Sequence, residues 1–125
     1  MKILLDTHIY IWWLMESTRL SEAALRMIRN AEEVYVSTAS LWEAAIKSTT
    51  GKLEADIEEL RLQIERNDFR VLPVDETHVS TVARLPLLHK DPFDRMLVAQ
   101  ALTEPLHLMT GDRRLPQYTS LVELV

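Results

Sequence analysis

The sequence predicts an α/β fold, a three-layer α/β/α sandwich around a central, mostly parallel sheet of about five strands. Three observations carry that prediction. Short apolar runs of strand length alternate along the 125 residues with segments whose apolar positions recur at helical spacing. Strands that alternate with helices pair in parallel, because each helix carries the chain back across the sheet. The opening run, Ile3-Leu4-Leu5, is apolar at every position, which marks a strand covered on both faces. Helix-start signals, Ser21-Glu22 and Asp91-Pro92, stand where helices have to begin.

The elements follow in order. After the first strand, Ile9 to Met15 continues apolar as a short buried helix. Ser21 caps a second helix whose face is Ala24, Leu25 and Ile28, and Val34-Tyr35-Val36-Ser37 is the second strand. Ser40 to Lys47 reads as a helix that leaves near Gly51. Leu53, Ile57, Leu60 and Ile64 form one apolar face of a helix between Glu54 and Asn67. Arg70 to Val74 is a third strand. Pro73 cannot donate to a ladder, so this strand belongs at an edge. Thr77 caps a helix carrying Val79, Val82 and Ala83 that Pro86 closes. Asp91 caps the last long helix, from Pro92 through Leu97 and Ala101 to about Glu104. Leu106 to Met109 and Leu121 to Val125 complete the strands.

Composition narrows the function. Two glycines, Gly51 and Gly111, cannot build a glycine-rich phosphate loop, so the P-loop and dinucleotide fingerprints are excluded. The absence of cysteine excludes disulfides, iron–sulfur clusters and thiolate zinc sites, and it fits a reducing compartment. Asp6 and His8 break the opening apolar run too early for a signal peptide. No run reaches the ~18 apolar residues of a membrane span. The expectation is one cytoplasmic domain spanning residues 1–125, with no membrane partner. A net charge of −5 argues against binding nucleic acid by bulk electrostatics, although four site acids would account for most of that excess.

In an open parallel sheet, ligands bind beyond the carboxyl ends of the strands. Asp6 and Asp112 follow such ends, and Glu43 and Asp94 stand near the same edge. At about 4 Å and an effective dielectric of ~20, each pair of ionised carboxylates repels by on the order of 4 kcal/mol. A divalent cation resolves that repulsion, and an all-oxygen donor set prefers the hard ions Mg²⁺ or Mn²⁺. Such a site suits phosphodiester hydrolysis without a protein nucleophile. The histidines, at 8, 78, 89 and 107, show no zinc-ligand spacing, and His8 and His89 are expected to orient their neighbours.

Four motifs occur together: Leu4-Leu5-Asp6-Thr7-His8; Ser40-Leu41-Trp42-Glu43-Ala44-Ala45-Ile46-Lys47 with Gly51-Lys52-Leu53; His89-Lys90-Asp91-Pro92-Phe93-Asp94-Arg95; and Leu108-Met109-Thr110-Gly111-Asp112. In this order, over essentially the whole chain, they resemble PIN-domain ribonucleases, and most of all the VapC-type toxins of bacterial toxin–antitoxin pairs. The resemblance implies a PIN-like fold and Mg²⁺-dependent cleavage of RNA, with Asp6, Glu43, Asp94 and Asp112 as metal-binding acids supported by Thr7 or Thr110. It also implies homodimerisation and inhibition by a cognate antitoxin.

Local explanations compete at several positions. Glu43 stands three residues after Ser40, a capping-box spacing. Asp91 is explained as an N-cap and is read as structural or supporting the site. Asp112 before Arg113-Arg114 could be a turn acid in a solvated ion pair, and Asp6 could cap the helix that starts near His8. Lys47, Arg95, Arg113 and Arg114 are candidates to grip RNA phosphates. Of Trp12 and Trp13, one is expected in the core and the other at a dimer or antitoxin contact. Two other readings stand beside the nuclease. One is a receiver-like signalling domain with Asp75 as phospho-acceptor, weakened by the lone Asp6 after the first strand and by the absence of a lysine after the fifth. The other is a non-catalytic PIN-like module that binds RNA or a partner.

Overall fold

The computed structural model describes residues 1–125. Its strands are β1 (Lys2–Leu5), β2 (Glu33–Ser37), β3 (Arg70–Leu72), β4 (His107–Thr110) and β5 (Val122–Leu124). They form one sheet in the order β3-β2-β1-β4-β5, and every neighbouring pair is parallel. The helices are α1 (Thr7–Leu14), α2 (Glu22–Asn30), α3 (Thr38–Thr49), α4 (Ile57–Arg66), α5 (Glu76–Arg84) and α6 (Pro92–Thr103). A short 3₁₀ turn follows at Leu115–Gln117.

Side chains along each strand alternate between two cores. Ile3, Leu5, Val34, Val36 and Met109 pack with Ile9, Tyr10, Ala24, Ile28, Ala44, Leu60 and Ile64 on one face. Leu4 and Leu108 pack with Leu97, Val98, Ala101 and Leu115 on the other. These two cores make the three layers, and they explain why β1 has no polar position between Ile3 and Leu5: both of its faces are buried. β3 lies at the edge, as expected, but ends at Leu72 rather than Val74: Pro73, which cannot donate to a ladder, stands just beyond it.

The helix starts are where local chemistry departs from expectation. Ser37, not Ser40, caps α3, and its hydroxyl accepts the Ala39 amide at 3.0 Å. Ser40 is instead buried in the first turn of the helix, its hydroxyl without a partner. The capping-box explanation of Glu43 is therefore removed. Asp75, not Thr77, caps α5, and Asp56 caps α4. In each case the correct cap lies at the end of the preceding extended segment, where β-region backbone leaves the side chain free to fold back on the first turn. Gly51, at φ +78°, takes the left-handed position just after α3.

Neither Trp12 nor Trp13 is fully buried. Trp13 donates to Asn67 at 3.0 Å and leans on Phe69, while Trp12 lies between His8 and the Arg19 guanidinium.

Candidate metal centre

β1 is the point at which strand order reverses: β2 and β3 extend to one side of it, β4 and β5 to the other. The crevice beyond the strand ends at such a point is where side chains from β1 and β4 can meet. Asp6 follows β1, and its amide continues the ladder by donating to Met109 O at 3.0 Å. Its carboxylate is buried, and each oxygen accepts one hydrogen bond. Oδ1 caps α1 by accepting the His8 amide at 2.8 Å, and Oδ2 accepts the Thr110 hydroxyl at 2.6 Å. The same Thr110 oxygen accepts the Asp112 amide at 3.1 Å, so one hydroxyl ties the ends of β1 and β4 together.

Glu43 reaches the site from α3. Thr7 donates to its Oε1 at 2.7 Å and Lys47, one turn on, to its Oε2 at 2.8 Å. Asp94 sits in the first turn of α6. Asp91, the N-cap of that helix, accepts the Phe93 and Asp94 amides at 2.8 and 3.0 Å and has the structural role read for it. The Asp112 carboxylate is clamped by the Arg114 guanidinium, with Nε and Nη2 donating at 3.0 and 2.9 Å.

Charge is concentrated here beyond what the chain neutralises. Burial pushes the Asp94 carboxyl up to about 6, and the charges of Asp91, Asp6 and Glu43 add to the rise against the hydrogen bond from His89. Burial likewise raises Asp6; the hydrogen bonds from Thr110 and His8 oppose it and the charge of Glu43 reinforces it. Asp112 moves the other way, because its hydrogen bonds to Arg114 hold it below the usual carboxylate range.

Two sequence expectations change. Arg95 is not a phosphate contact: α6 turns it away from Asp94, and its buried guanidinium donates to Pro86 O, Val82 O and the Tyr118 hydroxyl at 2.9, 3.2 and 3.1 Å. Its positive charge is used to satisfy carbonyls at the end of α5. Arg113 is exposed, and Lys47 stands at the site through Glu43. His89, read from sequence only as orienting a neighbour, lies deeper in the cluster than its position suggests. Its Nε2 is 2.9 Å from Asp94 Oδ2 and 3.5 Å from Asp112 Oδ2. The available signal was its place just before the Asp91-Pro92 helix start, where the chain must fold back on the first turn of α6.

His89, Asp94 and Asp112 each offer a donor atom within 4.8 Å of the others; Asp6 and Glu43 are not in that group but stand near enough for their charges to raise Asp94, and carboxylate oxygens with one imidazole fit a divalent cation. Fold and site thus define a class: a fully parallel α/β/α sandwich with an acid cluster at its topological switch point. The chain belongs to the PIN-domain family, whose model matches residues 3–121. Ribonuclease VapC22 of Mycobacterium tuberculosis (strain ATCC 25618 / H37Rv) is 34% identical over 115 residues, 90% of this chain and 88% of its own.

Among solved structures, VapBC2 from Rickettsia felis bound to a promoter DNA fragment superposes with a TM-score of 0.70 at 16% identity, covering 98% of this chain and 96% of that one. A toxin–antitoxin complex from Klebsiella pneumoniae gives 0.63 at 19% identity, covering 98% and 99%. At these identities the two structures bear on the fold. Family membership also retires the receiver reading, and Asp75, its would-be phospho-acceptor, is the cap of α5, bonded to the His78 amide at 3.0 Å.

Proposed function

We propose that this chain is a divalent-cation-dependent endoribonuclease, the toxin of a type II toxin–antitoxin pair, acting as one domain over residues 1–125. The observation that carries the reading is the crowding of Asp6, Glu43, Asp94 and Asp112 at the switch point, with Asp6 and Asp94 raised by that environment. The ribonuclease named as its relative supports RNA as substrate, and the toxin–antitoxin complexes among its structural neighbours support an antitoxin partner. Homodimerisation and a cytoplasmic location follow from the same family reading. No helix is long and apolar enough to cross a membrane.

Asp6, Glu43, Asp94 and Asp112 would hold the ion, Mg²⁺ or Mn²⁺. When bound, it supplies activation of water and positive charge for the phosphoryl transition state and the departing oxygen. The protein's own work is positional. Thr110 fixes Asp6 and the Asp112 turn; Thr7 and Lys47 fix the two oxygens of Glu43. Exposed Arg113 can meet an RNA phosphate without leaving a buried partner unpaired. Water attacks phosphorus in line, the bond from phosphorus to the 3′-oxygen breaks, and the products carry a 5′-phosphate and a 3′-hydroxyl.

The test is cleavage of RNA by purified protein in Mg²⁺, then in chelator, with end-group analysis of the products. Cleavage is expected to stop in chelator and in Asp6→Asn. Full activity in either condition overturns the mechanism, and tight RNA binding without cleavage in Mg²⁺ or Mn²⁺ would leave only a binding module.

A further inference from the structure

His89 has more geometry than an orienting role uses. Its side chain is only 7% exposed, and its Nε2 approaches two acids from different elements, Asp94 on α6 and Asp112 after β4, at 2.9 and 3.5 Å. A hydrogen bond accounts for the first approach but not for the second. In an octahedral site with bonds of about 2.1 Å, adjacent donor atoms are about 3 Å apart and opposite ones about 4.2 Å. One donor atom from each of His89, Asp94 and Asp112 lies within 4.8 Å of the others, the spacing of a shared ion.

The chain's other cluster of this kind shows the contrast. There His78 Nδ1 accepts the Asp75 amide at 3.0 Å and Nε2 meets Glu104 at 2.7 Å. Both ring nitrogens are consumed in fastening the start of α5 to the end of α6. At His89, only Nε2 faces the carboxylates; without a cation its N–H donates to Asp94, and moving the ring proton to Nδ1 turns a lone pair to the same point.

We infer that His89 Nε2 is a direct ligand of the cation, alongside Asp94 and Asp112, and that this nitrogen shifts the site's preference from Mg²⁺ toward transition ions such as Mn²⁺. The inference rests on reading the acids as a cation site. Imidazole favours borderline transition ions, whereas Mg²⁺ prefers oxygen and retains its waters.

Chelator-stripped protein is titrated with Mn²⁺ in the absence of RNA, and pulsed electron paramagnetic resonance reads nitrogen bound directly to the ion. A directly bound nitrogen is expected in the unmodified chain and in His8→Gln, which removes the imidazole beside Asp6, and it is lost in His89→Gln. The same substitution lowers Mn²⁺ affinity on the order of 10-fold or more and Mg²⁺ affinity much less. Labelling histidine with ¹⁵N in the unmodified chain reads the contact even if His89→Gln fails to fold.

An oxygen-only Mn²⁺ site in the folded protein overturns the inference and leaves the nuclease reading standing. So does a nitrogen signal that survives His89→Gln. Failure of the protein to bind Mn²⁺ or Mg²⁺ at all overturns the cation reading itself.

Discussion

Replacing Asp94 by asparagine should stabilise the cation-free protein near neutral pH while abolishing its response to metal. The Asp94 carboxyl titrates at about 6 in the folded chain against 3.8 ordinarily. The folded state therefore holds its proton more tightly than the unfolded state does. The favourable contribution is complete below 3.8 and is lost as pH rises to about 6; above that, the ionised carboxylate costs the fold on the order of 3 kcal/mol. Asparagine removes the charge, and its carbonyl oxygen can still accept from His89. For a chain of this size the gain corresponds to a rise in Tm on the order of 10 °C.

The assay is thermal or urea unfolding in chelator at pH 7.5 and again at pH 4. The advantage of Asp94→Asn should be large at the first pH and nearly vanish at the second. Adding Mn²⁺ at about 100 times its Kd should then stabilise the unmodified chain by roughly 2.7 kcal/mol and the variant far less. A variant less stable than the parent in chelator at pH 7.5, or equally favoured at both pH values, refutes the claim that burying Asp94 among other acids strains this site.

Further outcomes follow from neighbouring contacts. Arg95→Met should lower stability by about 3 kcal/mol in urea unfolding, because carbonyls at the end of α5 lose a buried charged donor. A surface arginine would give nearly no change. Thr110→Val should weaken Mn²⁺ binding in calorimetry by roughly 10- to 100-fold, since the hydroxyl positions both Asp6 and the Asp112 amide. Tyr10→Phe, losing a bond to Leu60 O, should cost about 1 kcal/mol. Burial raises the Tyr10 phenol above its ordinary 10.0, so the unmodified protein should lose stability above that pH more steeply than the variant does.

What could be read from the residues, and what could not, divides along physical lines. β1 announces itself because burial on both faces leaves Ile3, Leu4 and Leu5 no room for a polar position, and β2 and β4 show as short runs built on Val34, Val36, Leu108 and Met109. The four acids stand out as candidates because Asp6 and Asp112 follow strand ends, Asp94 follows a strong helix start and Glu43 comes soon after the second strand. Arg95 was misjudged because adjacency in sequence says nothing of direction: one step along α6 rotates a side chain by about 100°, from the acids to the carbonyls of α5. His89 and Arg114 belong to irregular segments, whose paths are set by tertiary contacts that no periodicity reports. Ser21 and Asp91 cap their helices as the sequence predicts, whereas the caps of α3 and α5 fall two or three residues earlier, at Ser37 and Asp75, because more than one capping side chain stands near each start and the backbone decides among them.

The Thr110 hydroxyl spans a separation of 104 residues to reach Asp6. Two of the four acids lie within the first 43 residues, and the residue that fastens Asp6 appears only at the end of β4. A nascent chain that has exposed β1, β2 and α3 already carries Asp6 and Glu43, yet its β1 has no neighbour on the side where Thr110 and Asp112 belong. The site therefore matures with the sheet.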